Sequence, residues 1–440
     1  MVSVGIVSLG CSKNLVDSER MLYKLHGKFK LEADAALADI VVINTCGFIQ
    51  SAKEEAIETI LEFIALKKEG KIKRIVITGC LAQRYKEELL TEFPEADAVV
   101  GLGSEAEIAD IISKLDDTPK ISIGEKCNLP LFGGRISGTL SFMSYLKIAE
   151  GCDNRCSYCA IPLIRGGLRS VPMEELIKEA SELADSGVKE LNIIAQDITR
   201  YGEDLYGECR LPELLEKIAE IKGIQWIRLL YCYPERISDK LTRIIKNTPK
   251  IVKYLDIPIQ HSDGEILSRM NRQGDEDSLR HLVKKLRDEI PGIILRTTII
   301  TGFPGETESQ FEKLCEFITD MKFDRLGCFA YSPEEGTPAA GFPDQIDEET
   351  KTKRAEIIMD IQNNIMAVKN EQYIGKTIIV LTEGYDRYAE CFFGRSYMDA
   401  PDIDGKIYFT ASDNKPFPGD FVTVKITETL DLDLIGERED

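Results

Sequence analysis

The chain has 440 residues, of which 43% are hydrophobic and 30% charged, with a formal net charge of −20. That length predicts roughly two to four domains, and no apolar run approaches the roughly 20 residues that a membrane span needs. An acidic surface repels nucleic-acid phosphates, whose binding rests on Lys and Arg contacts. Direct nucleic-acid binding is therefore disfavoured and a basic partner favoured. Twelve cysteines without an export signal are expected in a reducing compartment, the cytoplasm, where metal or redox chemistry is the usual use of thiols.

Residues 1–118 alternate short apolar runs with amphipathic stretches, which predicts a parallel α/β domain of the Rossmann or flavodoxin kind. Strands are expected at Val2–Leu9, Ile40–Asn44, Arg74–Thr78 and Ala98–Gly101. Helices are expected at Leu15–Lys24, Ser51–Lys68, Gln83–Glu92 and Glu105–Lys114. Ser51, with Glu54 three residues on, reads as a capping box. Cys11 follows the first strand, Cys46 the second and Cys80 the third. All three fall at carboxyl ends of parallel strands, where open α/β sheets place their ligands. One strand–helix unit separates each from the next, so the thiols can converge on one crevice. They predict a three-cysteine iron–sulfur cluster with one open iron. Residues 119–142 carry scattered Pro, Gly and Ser and read as a linker, with no role assigned to Cys127.

Over 143–346 strand and helix patterns alternate regularly. Strands are expected at Met143–Ala149, Glu190–Ala195, Trp226–Tyr231, Tyr254–Ile259, Ile293–Ile300 and Arg325–Tyr331. Helices are expected at Met173–Ser186, Leu211–Ile221, Ser238–Lys246, Glu276–Glu289 and Glu308–Met321. Six βα units predict a partial barrel with its site at the carboxyl ends of the strands. After the first strand comes Gly151-Cys152-Asp153-Asn154-Arg155-Cys156-Ser157-Tyr158-Cys159. This C-x3-C-x2-C loop can hold three irons of a [4Fe–4S] cube and leave the fourth open. A structural zinc site would want four paired ligands, and no fourth cysteine is near. Other strand ends carry Gln196-Asp197, Tyr231-Cys232-Tyr233-Pro234, Gln260-His261-Ser262, Gly302-Phe303-Pro304-Gly305-Glu306 and Ser332–Thr337. Gly302 and Gly305 let backbone approach a ligand closely, and Asp197 also suits a helix N-cap. His261 reads as structural, and Cys209, Cys232, Cys315, Cys328 and Cys391 as packing residues. Residues 347–372 predict one connecting helix with Ile358, Ile361, Ile365 and Val368 on one face. Residues 373–440, with strands at Thr377–Thr382, Ala389–Phe393, Lys406–Thr410 and Phe421–Thr427, predict a small β-barrel. Seven Lys and Arg there face fourteen Asp and Glu.

Cys152, Cys156 and Cys159, with Tyr158 before the third cysteine, resemble the signature of the radical S-adenosylmethionine (SAM) superfamily. The resemblance implies that the open iron chelates SAM and that the reduced cluster cleaves it to a 5′-deoxyadenosyl radical. Tyr158, Gln196, Asp197, Gly302, Gly305 and Glu306 are then the candidate SAM-binding residues. Taken whole, the chain resembles the radical SAM methylthiotransferases, whose C-terminal piece is a TRAM domain. In that family Cys11, Cys46 and Cys80 would hold a second [4Fe–4S] cluster that delivers the methylthio group, and a reducing electron donor would be required. One branch acts on a modified adenosine of tRNA, the other on the β-carbon of an aspartate in a basic small-subunit ribosomal protein, the twelfth. The stretches NTCGFIQSAKEEAIETI, GCDNRCSYCAIPLIRGGLRS, YLDIPIQH, YSPEEGTPA and GRSYMDAPDIDG resemble the ribosomal-protein branch, and the acidic barrel agrees with it. The alternatives are the tRNA branch and a non-enzymatic iron–sulfur carrier, although carriers usually close their clusters with four cysteines.

Overall fold

A computed structural model describes residues 1–116, 118–138, 140–411 and 415–439. The first sheet is built from β1 (Ser3–Ser8), β2 (Lys30–Leu31), β3 (Ile40–Thr45), β4 (Arg74–Gly79), β5 (Ala98–Val100) and β6 (Lys120–Ser122). All pairings are parallel, in the order β2-β1-β3-β4-β5-β6. This is the flavodoxin-like order, with its switch point between β1 and β3. The central strands are continuous Val/Ile runs because helices cover both faces. These helices are α1 (Ser12–Leu25), α2 (Gln50–Lys68), α3 (Cys80–Tyr85), α4 (Glu87–Glu92) and α5 (Ile108–Ser113).

Several local expectations are corrected. The edge strands β2 and β6 are too short for a period to register, and β6 lies within the stretch read as linker. The expected third helix is two, broken where Lys86 takes φ 44°. No capping box forms at Ser51: α2 starts at Gln50 behind an extended Ile49, and Gln50 Nε2 donates to Glu54 at 2.9 Å.

The second sheet contains β7 (Met143–Lys147), β10 (Glu190–Ile194), β11 (Trp226–Leu229), β12 (Ile251–Asp256), β13 (Ile294–Thr301) and β14 (Arg325–Ala330). Six parallel strands in sequential order form the expected open, partial barrel. The short strands β8 (Ala149–Glu150) and β9 (Arg169–Ser170) pair antiparallel and bracket the cysteine loop. The helix Glu348–Glu371 packs across β13 and β14. Its buried stripe is Lys351, Arg354, Ile358, Gln362, Met366 and Asn370, whereas Val368 is 61% exposed. The face expected from the isoleucines is thus displaced. Arg354 pairs with Glu306 at 2.8 Å and Gln362 donates to Phe323 O at 3.1 Å, so specific polar contacts direct this helix.

The C-terminal strands β15 (Thr377–Asp386), β16 (Cys391–Arg395), β17 (Ile407–Thr410), β18 (Phe421–Leu430) and β19 (Asp433–Glu439) close into a barrel. The sequence DLIGERE of β19 carries too few apolar residues to read as a strand. This barrel docks on the amino-terminal ends of the central strands. There Glu190 receives Arg228 at 3.0 Å and Arg395 at 2.7 Å, Arg325 meets Asp399 at 2.6 Å, and Tyr254 donates to Asp404 at 2.6 Å. Among the described residues no helix is long and apolar enough to cross a membrane.

Candidate functional site at the seam of two parallel sheets

Cys11 occupies the N-cap position of α1, Cys46 directly follows β3, and Cys80 opens α3. Two glycines bring their loops together. A Cβ on Gly10 (φ 84°) would fall 2.5 Å from Cys46 Cβ, and one on Gly47 would fall 2.9 Å from the Leu81 backbone. Cys46 and Cys80 are buried and Cys11 is half-buried. Burial pushes the Cys80 thiol up to about 12 against the pull of Arg165. Burial also opposes ionisation of Cys11, but Lys13, Arg165 and nearby backbone N–H groups outweigh it and lower its pKa. Among the described residues no group of three His, Cys, Asp or Glu is gathered to hold a single metal ion. A cube that seats each thiolate on its own iron requires no such convergence.

The Cys152–Cys159 loop hangs between β8 and β9 and is pinned from several sides. Cys152 N donates to Gly166 O at 3.1 Å, Ser157 N to Met270 O at 2.9 Å, and Asn271 Nδ2 to Arg155 O at 2.9 Å. Tyr233 Oη lies 3.8 Å from Cys156 Sγ. Burial pushes the Cys152 thiol up to about 11, so a metal bound by it would have to displace its proton.

The remaining candidates divide by what they touch. Gln196 Nε2 donates to Glu150 at 2.9 Å, while its carbonyl oxygen is buried without a partner among the described residues. Both carboxylate oxygens of Asp197 are engaged: one caps Thr199 N at 2.9 Å, the other accepts from Asn154 Nδ2 at 2.7 Å. Tyr158 packs against the Phe303 cluster, and Arg272 Nη1 donates to its hydroxyl at 3.4 Å. The Gly302–Glu306 loop is occupied by protein. Lys351 fills the space beside Gly302, Arg269 that beside Gly305, and fully buried Glu306 accepts from Gly302 N at 2.9 Å. Glu306 therefore shapes its loop and presents no free carboxylate, a departure from the contact expected for it. His261 is buried, its Nδ1 accepting from Asp263 N at 2.9 Å, in keeping with a structural role. Cys232 is buried as expected, but Cys209 is exposed and is no packing residue.

The carboxyl edges of the two sheets face each other, and the seam holds charges that the sequence reading passed over. Arg165 Nη1 reaches Asp17 at 3.0 Å and Glu150 at 2.9 Å, and its Nη2 reaches Asn14 Oδ1 at 2.5 Å. Lys147 bridges the same two carboxylates. Burial opposes ionisation of Glu150, but Arg165 and Lys147 outweigh it and hold its carboxyl below the usual range. Glu150 also accepts from Gly151 N at 3.1 Å, at the start of the cysteine loop. A continuous polar chain thus runs from Cys80, 3.5 Å from Asn14 Oδ1, to the second cysteine loop. A signal was available: Lys147 interrupts the apolar run MSYLKIA. Further out, Glu334 receives Lys53 at 3.0 Å and Arg84 at 2.6 Å. A cavity of about 500 Å³ lies at the opposite ends of the strands, between Ile294, Arg325, Ile365 and Tyr373.

Residues 146–318 match the radical SAM superfamily, residues 3–101 the uncharacterized protein family UPF0004, and residues 374–438 the TRAM domain. With the partial barrel and its cysteine loop, these matches define a radical SAM enzyme, a class that implies a [4Fe–4S] cluster and SAM. The fold is shared with a radical SAM methyltransferase, TsrM from Kitasatospora setae, at a TM-score of 0.57 and 14% identity over 77% of this chain and 75% of that one. The sequence goes further. It is 49% identical to ribosomal protein uS12 methylthiotransferase RimO of Lachnoclostridium phytofermentans over all of both chains. It is 48% identical to the protein of that name from Clostridioides difficile over 99% of each. The chain belongs to the RimO methylthiotransferase family.

Proposed function

We propose that the chain transfers a methylthio group to the β-carbon of an aspartate in ribosomal protein uS12. Cys152, Cys156 and Cys159 would hold the cluster that binds SAM, and Cys11, Cys46 and Cys80 a second [4Fe–4S] cluster. The donor sets fit: each is three thiols on glycine-relieved loops, without a fourth cysteine. The orphaned Gln196 carbonyl suits the amino group of SAM, and Asp197 and Tyr158 fix the loop beside it. When bound, the cofactors supply a reducing electron from an external donor, a 5′-deoxyadenosyl radical and the methylthio group. The chain's own residues orient these groups across one seam and exclude water from it. Asn14 and Arg165 steady the first cysteine set, and Glu150 the second, through one network.

What carries the reading is the opposition of two three-cysteine sets across a buried seam, in a chain whose relatives bear the uS12 name over their full length. The test is intact-mass analysis of small-subunit ribosomal proteins from cells with and without the gene, together with nucleoside analysis of tRNA. Loss of one methylthio increment from uS12 is expected. An unchanged uS12 with loss of a methylthioadenosine from tRNA would overturn the reading.

A further inference from the structure

Tyr233 follows β11 in the segment Tyr231-Cys232-Tyr233-Pro234, and the backbone there is held on both sides. Cys232 N donates to Asp256 O at 2.8 Å, and Arg236 N donates to Tyr233 O at 3.1 Å. The half-buried Tyr233 side chain has one hydrogen-bond partner for its hydroxyl among the described residues, Cys156 Sγ at 3.8 Å. Either group could donate while Cys156 is a thiol. Once Cys156 is a thiolate, only the phenol carries a proton to give. Cys152 Sγ accepts from a backbone group, Asn154 N at 3.5 Å. Tyr233 is thus the only side chain among the described residues that hydrogen-bonds a sulfur of this loop.

A second residue bears on that contact. Arg272 is buried, and its guanidinium carbon lies 4.1 Å from the centroid of the Tyr233 ring. It is fixed there by donation from Nη2 to Pro258 O at 2.8 Å and from Nη1 to Tyr158 Oη at 3.4 Å. Burial works against its charge, while Tyr158, Tyr233, Cys156 and Glu235 favour it, in that order. The preceding two residues hold the same cysteine loop, through Met270 O and Asn271 Nδ2. Loop, cation and phenol are therefore registered to one another by a single stretch of chain.

We infer that Tyr233 is a positioning residue that sets the reduction potential of the cluster held by Cys152, Cys156 and Cys159. Its hydroxyl donates to Cys156 Sγ, and Arg272 on its ring strengthens the donation. This role rests on the cluster assigned to that loop under the function proposed above. Hydrogen bonds to the sulfurs and the local charge are among the features that tune an iron–sulfur potential. Donation to a thiolate draws charge off the sulfur and favours the reduced, more negative state. A cation over the ring face pulls on the same electrons, and poor screening in a buried setting lets its charge act on Cys156 directly as well. Loss of either residue should make the cluster harder to reduce. Packing alone would ask for the ring of Tyr233 and not for its hydroxyl.

The experiment uses reconstituted full-length enzyme as wild type, Tyr233→Phe, Arg272→Lys, Arg272→Met and the Tyr233→Phe/Arg272→Met double variant. Iron content is measured, and the midpoint potential is read by EPR from the signal that moves when SAM is added. Tyr233→Phe is expected to keep its iron and its spectrum while the midpoint falls by about 59 mV, a tenfold change in a one-electron equilibrium. Arg272→Lys keeps the charge without the planar stacking, so its midpoint should fall by less than that of Arg272→Met. The double variant should fall by less than the sum of the single changes, because Arg272 acts partly through the hydroxyl. An unchanged midpoint in Tyr233→Phe would overturn the assignment, as would an equal shift of the other cluster's signal or a loss of iron, either of which makes Tyr233 a structural residue. Strictly additive changes would overturn the part given to Arg272. If Arg272→Met does not fold, Tyr233→Phe and Arg272→Lys still decide the outcome. A wild type without a SAM-responsive cluster fails the underlying assignment and the Tyr233 role with it. A wild type that has the cluster, beside a Tyr233→Phe variant of equal midpoint, fails the Tyr233 role alone.

Discussion

Burial pushes the Glu105 carboxyl up to about 8, and the nearby Asp17 charge adds to the shift. The group sits under the seam, with Thr78 Oγ1 donating to it at 3.4 Å. Its folded pKa lies above its unfolded one, so the folded chain holds a proton that the unfolded chain has released. The associated stability is complete below pH about 4.5 and is lost as pH rises towards about 8. Glu105→Gln keeps the hydrogen-bonding shape and cannot ionise. The thermal midpoint of the variant should fall less between pH 5 and 8 than that of the wild type, by about the share that this one group contributes. Parallel curves would mean that Glu105 is already ionised in the folded protein. Glu105 was visible in the sequence only as a helix-start acid. Nothing local to it reveals that Asp17, far along the chain, shares its cavity.

Among the elements, the loops after β1, β3 and β4 were legible because two independent regularities coincide there: an apolar run that ends, and a cysteine one βα unit after the last. The barrel strands of the central sheet were legible as short apolar-rich runs recurring one βα unit apart, although Lys147, Arg228 and Arg296 interrupt them. What escaped was set by partners distant in sequence. β2 and β6 are strands only because β1 and β5 offer free edges. The stripe of Glu348–Glu371 faces inward because Glu306 and the Phe323 carbonyl wait for Arg354 and Gln362. The cysteine convergence depends on the closeness that Gly10 permits. A Cβ there would fall 2.5 Å from Cys46 Cβ, and φ 84° is strained for alanine. Gly10→Ala is therefore expected to part the first loop from the second. The reconstituted variant should bind about half of the wild-type iron, that of the Cys152–Cys159 loop, by colorimetric iron analysis and EPR. Full iron loading would show that the loops tolerate the displacement.

At the scale of the whole molecule, the acidity of the C-terminal barrel has two parts. Asp399 and Asp404 point inward and meet Arg325 and Arg296 of the central domain, so they answer charges of this chain and are withdrawn from any partner. Glu428, Asp431, Glu437 and Glu439 are exposed and carry the outward field. The net charge counted along the sequence overstates what a basic ribosomal protein meets, although its sign stands. The docking pairs are also where the barrel is held. Arg395→Ala leaves the fully buried Glu190 with Arg228 alone and strips Glu383 of its partner. Removing one member of such a buried set typically costs about 3–5 kcal/mol. The urea midpoint should drop accordingly, and an unaltered midpoint would show that water replaces the guanidinium.

The Arg165–Lys147–Asp17–Glu150 network has a consequence for how the protein is made. During synthesis the first sheet, with Cys11, Cys46 and Cys80, leaves the ribosome before Lys147 and Arg165 exist. In that interval Asp17 has none of the cations it will be buried with, and Asn14 lacks the guanidinium that steadies it beside Cys80. The buried network beside Cys80 is finished only when the loop bearing the other three cysteines has been translated and folded against it. On the function proposed above, cofactor delivery would thereby be given a schedule, since a nascent chain arrested before Arg165 lacks the cation that joins the two cysteine sets.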